Sequence, residues 1–260
     1  MEMAEDNSLT KYLSFPVNRE GWLFIALFAV VAWVLGQIWG LLGWLGFFAT
    51  VWSVWFFRDP ERVTPSRDGV VVSPADGVVK TVSTVAPPAE LGLGDKPRVR
   101  VTLLRNLLNV HVNRAPVEGK VTKTVEVAGV FEDASRDSAA AENDRLGVVV
   151  TSANNRPVAV VQVAGLVVRH LSNDLVEGQP VKAGQRAGIA RLSLDPVKDL
   201  VKRFKGEASA EAKDAAKASS SFSLGQLVTR VDVYLPEGVA ATVAPGQSII
   251  AGETVLAELA

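Results

Sequence analysis

The chain has 260 residues, a length that suits one or two domains, and a net charge of −1. That balance lacks the basic excess of nucleic-acid-binding proteins, so we expect no nucleic-acid partner. No cysteine is present, which excludes disulfides, thiolate metal sites and a cysteine nucleophile. The two histidines, His111 and His170, are too few for a histidine-rich metal centre, and we expect no bound metal.

The first pattern along the chain is an uncharged apolar run from Gly21 to Phe57, which follows a segment at residues 1–20. One membrane-spanning helix needs about 20 apolar residues, so the run is too long for one helix and slightly short for two complete spans. We therefore expect a membrane helical hairpin over 21–57, with helices at Trp22–Leu35 and Leu41–Phe57. The bend is expected in the middle of the run, at Gly36, Gln37, Gly40 and Gly43.

Tryptophans and basic residues indicate how this hairpin meets a membrane. All six tryptophans lie in the run, which suits anchoring at the lipid–water interface. The positive-inside tendency places both ends of the hairpin in the cytoplasm, because basic residues flank it at Lys11, Arg19, Arg58, Arg62 and Arg67. The alternative is a buried hairpin of a soluble protein. A cleaved signal peptide is disfavoured, since the run is long and no small-residue cleavage site follows it.

The rest of the chain, residues 58–260, is typical of a β-rich domain. Short valine-rich runs such as "PVAVVQV" alternate with Gly, Pro and Asp, and Asp76-Gly77 and Glu118-Gly119 are turn signals. Two segments repeat one pattern: "GQPVKAGQRAGIARL" from Gly178 and "GQSIIAGETVLAEL" from Gly246. Such glycine-spaced turns build lipoyl- and biotinyl-type half-barrels, so we expect a mainly β, pseudo-symmetric β-sandwich or flattened barrel after the hairpin. Two ordinary hairpins are the alternative, and no Met-Lys-Met attachment lysine supports a swinging-arm carrier.

An insertion at residues 195–222 separates the two repeats. Its first part predicts a short basic amphipathic helix that begins at Asp195-Pro196, with an apolar stripe at Val197, Leu200, Val201 and Phe204. This helix either binds an anionic membrane surface or is a surface helix packed on the barrel. Residues 206–221 are low in complexity and predict a flexible loop.

Four segments together resemble the short-form phosphatidylserine decarboxylases of bacteria and archaea. They are "WFFRDPERVTP" at 55–65, "VVSPADGVV" at 71–79, "LLNVHVNRAPVEGKV" at 107–121 and "TRVDVYLP" at 229–236. "ENDR" at 142–145 is similar to the Glu-Asn-Glu-Arg segment of that family. The resemblance covers about residues 15–194 and 229–260.

The resemblance implies an enzyme that makes its cofactor from its own backbone. In the family, a serine hydroxyl attacks the preceding glycine carbonyl, the chain is cut, and a pyruvoyl ketone remains as the electron sink for decarboxylation. Phosphatidylserine is converted to phosphatidylethanolamine at the inner membrane of the cell, so we expect phosphatidylserine and a phospholipid membrane as partners, with the β-domain on the cytoplasmic face. Asp76 matches the acidic residue and His111 the histidine that serve the nucleophile in this family. Self-association as a homo-oligomer stays open.

Three further residues are candidates for contacts to the substrate. Asn113 lies on the same face of its predicted strand as His111, and Arg114 follows at the strand end, where it could reach a phosphate. Arg169 is a second candidate phosphate contact. The neighbouring His170 is interpreted as incidental.

The chain departs from the family at the cutting site. The pattern Arg-Phe-Gly-Ser-Arg-Val-Asp is split into "RLSL" at 191–194 and "LVTRVD" at 227–232, and no Gly-Ser pair occurs in the chain. Thr229 takes the place of the serine and would yield a 2-oxobutyryl group. Val228 takes the place of the glycine, and its branched Cβ resists a strained backbone. Ser193 and Ser223 are alternative nucleophiles, and a non-processing relative that binds phospholipid headgroups or a protein partner is the alternative function.

Overall fold

The computed structural model describes residues 16–19, 21–191 and 228–259. They belong to two compact units: a helical unit within residues 1–62 and 108–112, and a β unit within residues 63–107 and 113–260. The predicted fold class, mainly β with an N-terminal helix pair, is confirmed. The amphipathic helix and loop predicted at 195–222, and the candidate nucleophiles Ser193 and Ser223, lie outside the described residues.

The helical unit contains a hairpin of two apolar helices, α1 at Gly21–Ile38 and α2 at Gly40–Phe56. Only Trp39 separates them, in an extended conformation with φ −155° and ψ 125°. The expected bend at the central glycines is wrong for Gly36 and Gly43, which lie inside the helices. These glycines serve helix packing instead, because a Cβ on Gly43 would lie 2.8 Å from the Cα of Gly36.

Most side chains of the hairpin are exposed. Its buried residues are Gly21, Phe24, Ser53 and Phe56, whereas Trp33 and Ile38 are about 70% exposed. The 18 and 17 residues of α1 and α2 correspond to lengths of about 27 and 26 Å. In the described part of the chain, α1 is the helix whose length and apolar composition are sufficient to cross a membrane, and α2 is a shorter apolar helix.

The β unit is built around an antiparallel sheet of eight strands in the order β12-β2-β3-β11-β7-β6-β5-β9. A pair, β1-β13, and a three-stranded sheet, β4-β10-β8, complete the described strands. A 3-10 turn, Ala89–Leu91, and a short helix, α3 at Ala139–Glu142, lie between strands. The strands are β1 Val70–Val72, β2 Gly77–Val85, β3 Arg98–Asn106, β4 Val112–Arg114, β5 Gly119–Val127, β6 Arg145–Thr151, β7 Pro157–Val163, β8 His170–Leu171, β9 Pro180–Val181, β10 Arg186–Arg191, β11 Val228–Tyr234, β12 Ser248–Ile249 and β13 Val255–Glu258.

The repeated Gly-Gln segments form equivalent turns in the two halves of the sheet. In each repeat both glycines have positive φ: +87° and +74° at Gly178 and Gly184, and +86° and +74° at Gly246 and Gly252. In each repeat the first Gly-Gln pair also exchanges two backbone hydrogen bonds of 2.7–2.9 Å with one valine, Val121 of β5 or Val79 of β2. The expected pseudo-symmetric half-repeats are therefore present, and they close over a valine-rich core.

Close packing of the hairpin can be tested at Gly46. A Cβ there would lie 2.6 Å from the Cα of Ala32, so Gly46→Ala should push α1 and α2 apart and lower stability by about 1–3 kcal/mol. The matched control is Gly40→Ala, whose Cβ would meet nothing within 4 Å and which should leave stability unchanged. Thermal unfolding in detergent, followed by tryptophan fluorescence, reports on the hairpin because all six tryptophans lie in it. Equal transition temperatures for the two variants would contradict the close contact.

Candidate active site

The candidate site forms where the start of β2, the end of β3 and the start of β11 meet. Antiparallel pairing sets Thr229 of β11 opposite Arg105 of β3. Asp76 directly precedes β2, whose first residue, Gly77, lies so close to β3 that a Cβ would overlap the carbonyl oxygen of Leu104. The close backbone approach therefore brings Asp76 to the same end of the sheet as Arg105 and Thr229.

The hydroxyl of Thr229 is buried and hydrogen-bonded to an arginine. Only 2% of Thr229 is exposed, and Arg105 Nε donates to its Oγ1 over 3.1 Å. The Thr229 hydroxyl is thus held by a charged donor inside the sheet, and its equivalence to the family's serine stays a prediction. An interaction of this kind stabilises negative charge on the oxygen.

Two further side chains extend this contact into a chain of buried hydrogen bonds. Arg105 Nη1 donates to Asn113 Oδ1 over 2.9 Å, and Asn113 Nδ2 donates to Gln162 Oε1 over 2.7 Å. Residues from β3, β4, β7 and β11 are therefore linked, and all four side chains are buried. Asn113 thus hydrogen-bonds Arg105, and its predicted contact with the substrate stays a prediction.

Burial lowers the pKa of Arg105 to about 10, and the negative charge of Asp76 partly opposes this shift. The guanidinium therefore stays protonated at neutral pH and keeps its positive charge beside Thr229. Asp76 is itself held in place, because its Oδ1 accepts a 2.7 Å hydrogen bond from the backbone N–H of Ala251. The positive charge and the carboxylate thus lie at one end of the sheet.

The backbone around Thr229 is regular and closely packed. Val228 pairs with Asn106 and Thr229 with Arg105, so the peptide bond between them is part of the β11–β3 ladder. A Cβ on Gly165 would overlap the carbonyl oxygen of Val228. Glycine at position 165 therefore lets the chain pass directly over the carbonyl that a Thr229 hydroxyl would attack.

His111 lies directly before β4 and is only 1% exposed. Its contacts place it in the helical unit, where its ring stacks on Phe56 at the end of α2, with 4.1 Å between ring centroids and 26° between planes. Val110 and Val112, which flank it, are also buried. The role of His111 as the base of the nucleophile stays a prediction.

The predicted phosphate contacts lie elsewhere in the β unit. Arg114 is buried, and its Nη1 donates to the carbonyl of Gly184 over 2.9 Å. Arg169 Nε donates to the carbonyl of Leu166 over 2.8 Å, and its guanidinium lies 5.0 Å from the ring centroid of Phe131. His170 is exposed on β8. Phosphate binding by Arg114 and Arg169 stays a prediction.

Sequence reasoning missed Arg105 and Gln162. Each left a weak signal, because each is a polar residue in a strand that is otherwise predominantly apolar toward its end, in "VTLLRN" and "VAVVQV". Buried polar side chains in strands need partners, which in this case come from distant parts of the chain.

Comparisons with known proteins identify the family of this chain. The family model described as phosphatidylserine decarboxylase matches residues 49–193. The chain is 50% identical over 256 residues to the phosphatidylserine decarboxylase proenzyme of Paramagnetospirillum magneticum, covering 98% of this chain and 92% of that one. The proenzymes of Cereibacter sphaeroides and Ruegeria pomeroyi are 42% and 40% identical, with 94% of this chain and 90% and 95% of theirs covered. The chain belongs to the phosphatidylserine decarboxylase family.

The close approach of Gly165 to the carbonyl oxygen of Val228 can be tested by its effect on stability. Gly165→Ala should displace the Val228 carbonyl or the loop before Arg169 and destabilise the β unit by about 1–3 kcal/mol. Hydrogen exchange of the β11 amides, measured by mass spectrometry, should increase in this variant. The Gly40→Ala variant, which alters the hairpin, should leave that exchange unchanged. Wild-type exchange in Gly165→Ala would contradict the contact.

Proposed function

We propose that this protein is a membrane-attached decarboxylase that converts phosphatidylserine to phosphatidylethanolamine through a carbonyl group made from its own backbone. The observation that carries the proposal is the hydrogen bond from Arg105 to the Thr229 hydroxyl, because the resemblance to the family puts Thr229 in the place of the serine. Further support comes from relatives named phosphatidylserine decarboxylase proenzyme, since a proenzyme is activated by a change in its chain.

The cut would begin with attack by Thr229 Oγ1 on the carbonyl carbon of Val228. A base takes the hydroxyl proton, the peptide C–N bond breaks, and the nitrogen of Thr229 gains a proton, which leaves an ester. Loss of the Cα proton and cleavage of the Cβ–O bond then release Val228 as a carboxylate. One water replaces the nitrogen, which leaves as ammonia, and the new chain starts with a 2-oxobutyryl group. This group carries one methylene more than a pyruvoyl group.

The residues around Thr229 fit such a group. A ketone at this chain end would supply an electron sink for the loss of carbon dioxide from an amine-bearing substrate. Arg105 would keep a hydrogen-bond donor beside it, and Asp76 would hold its carboxylate near by through Ala251. β11 lies between β3 and β7, so the new chain end would stay in the sheet after the cut.

The roles of His111 and Asp76 rest on the resemblance to the family. Asp76 and His111 are proposed to act as a pair that orients the Thr229 hydroxyl. His111 is the proposed base that takes the proton of this hydroxyl. Arg114 and Arg169 are proposed to contact the phosphate of the substrate. Their guanidinium groups would have to exchange their bonds to backbone carbonyls for bonds to the lipid.

Membrane attachment is proposed from the helical hairpin. Phosphatidylserine is a membrane lipid, so an enzyme that acts on it needs access to the bilayer. The exposed apolar surface of α1 and α2 supplies an anchor, and the basic residues that flank the hairpin favour an orientation with the β unit at the cytoplasmic face of the inner membrane.

A second candidate function is a relative that does not cut itself and binds phospholipid headgroups or a protein partner. It is favoured by the lack of a Gly-Ser pair and by the regular ladder at Val228 and Thr229. A β-branched residue in a paired strand resists the backbone distortion that acyl transfer needs.

Intact mass of the purified full-length protein separates the two candidates. The decarboxylase should yield two pieces under denaturing conditions, residues 1–228 and 229–260, in place of one 27.7 kDa chain. The smaller piece should be lighter than a peptide that starts with threonine by the mass of one ammonia, and it should react with a hydrazine. A single uncut chain that is inert on phosphatidylserine vesicles would support the second candidate.

Variants of Thr229 provide the matched controls for that measurement. Thr229→Ser keeps the hydroxyl and should still cut, with a pyruvoyl group on the smaller piece. Thr229→Val keeps the shape of the side chain but removes the nucleophile, and should abolish cutting. Cutting that persists in Thr229→Val would assign the reaction to Ser193 or Ser223.

The role of His111 can be tested by His111→Gln. A general base contributes about 10²- to 10⁴-fold to a rate, so the variant should cut at least about 100-fold more slowly. The flat amide of glutamine can still pack on Phe56, and the thermal transition of the hairpin, followed by tryptophan fluorescence, should stay near that of the wild type. Cutting at the wild-type rate would remove His111 from the mechanism.

A further inference from the structure

The guanidinium of Arg105 is an unusual group for the interior of a sheet. The residue is 1% exposed and is one of the largest fully buried side chains of the described residues. A buried charge is tolerated only when hydrogen bonds and nearby charge compensate for the loss of water. Its partners here include the hydroxyl of Thr229, the side-chain oxygen of Asn113 and the charge of Asp76.

The direction of the hydrogen bond matters for chemistry at Thr229. Arginine only donates, so Thr229 Oγ1 must be the acceptor, and its own proton points elsewhere. A charged donor on the oxygen favours the ionised form of a hydroxyl, which is the form that attacks a carbonyl. The contact therefore fixes the oxygen and favours a larger ionised fraction of the hydroxyl at a given pH.

Thr102 is a second buried threonine of the same sheet, and it differs from Thr229 in having a carboxylate partner. It also lies on β3, and its Oγ1 donates to Asp232 Oδ1 over 2.7 Å. Asp232 is also paired with Arg230, so the charge there is neutralised within a compact cluster. The Thr102 hydroxyl donates to this carboxylate and also accepts a long, 3.5 Å hydrogen bond from Arg230 Nη2. The Thr229 hydroxyl accepts a shorter, 3.1 Å hydrogen bond from Arg105 Nε.

The hydrogen bond of Arg105 Nη1 keeps the Nε group of the same guanidinium in position. Its Nη1 binds Asn113, and Asn113 is in turn held by Gln162 of β7. A planar guanidinium with two of its nitrogens bonded to different strands has little freedom to rotate. The orientation of the Nε–H toward Thr229 is consequently set by side chains from two other strands, Asn113 of β4 and Gln162 of β7.

We infer that Arg105 is a positioning residue for the self-cutting step, which orients the Thr229 hydroxyl and stabilises its ionised form. The inference rests on the proposed function, since it assigns Arg105 a part in that reaction. It also assigns Asn113 and Gln162 the role of holding Arg105.

The test compares Arg105→Lys with Arg105→Met in the full-length protein. Each variant is synthesised in a cell-free system with lipid vesicles, and cutting is followed in time by intact mass. A charged hydrogen bond of ordinary strength predicts that Arg105→Met cuts about 10- to 100-fold more slowly. Arg105→Lys, which keeps a positive donor, should recover part of that loss. The matched control Arg100→Met, on the same strand with its guanidinium at Ser83, should cut at the wild-type rate.

Equal rates in Arg105→Met and wild type would overturn the inference. The inference would also be overturned if Arg105→Lys and Arg105→Met lost the same cutting rate and if those losses followed the decrease in their thermal transition temperatures. That result would describe a purely structural residue. An uncut wild-type chain would instead overturn the proposed function. In such a chain the contact itself is tested by thermal unfolding of Arg105→Met, Thr229→Val and the double variant. The double variant should lose less stability than the sum of the losses in the two single variants. Additive losses of stability would overturn the contact.

Discussion

The pairing of β11 between β3 and β7 is the constraint on which the site depends. A strand with hydrogen-bonded neighbours on both sides cannot shift its register without breaking both ladders. That register sets Thr229 opposite Arg105, and it would keep a freshly cut chain end in place. The same register would oppose the proposed cut, because the Val228–Thr229 peptide bond takes part in the ladder that would have to distort.

Polar side chains inside the sheet form two separate arrangements along β3 and β11. Around Asp232, a carboxylate and a guanidinium neutralise each other, and Thr102 completes the cluster. Around Thr229, the guanidinium of Arg105 donates to the neutral oxygens of Thr229 and Asn113 and also interacts with the negative charge of Asp76.

Several elements follow directly from local sequence patterns. The helical hairpin results from an uninterrupted apolar run, and the equivalent turns result from glycines that adopt positive φ in both repeats. The position of the bend was less predictable, because glycine serves equally well in a turn and in a close helix contact. Gly36 and Gly43 are in the contact, and only the packing of α1 on α2 distinguishes the two uses.

The sequence by itself determined the family, the apolar helical hairpin, the repeated turns and the lack of a Gly-Ser pair. These features depend on residues that are neighbours in the chain or on motifs that carry their own pattern. Only the tertiary structure decided what surrounds Thr229, since Arg105 lies 124 residues away in the chain and is brought near by strand pairing. Gln162 of β7 is linked to Arg105 through Asn113 for the same reason. The partners of a buried charge are the residues close to it in space, and the order of strands in the sheet sets which residues are close.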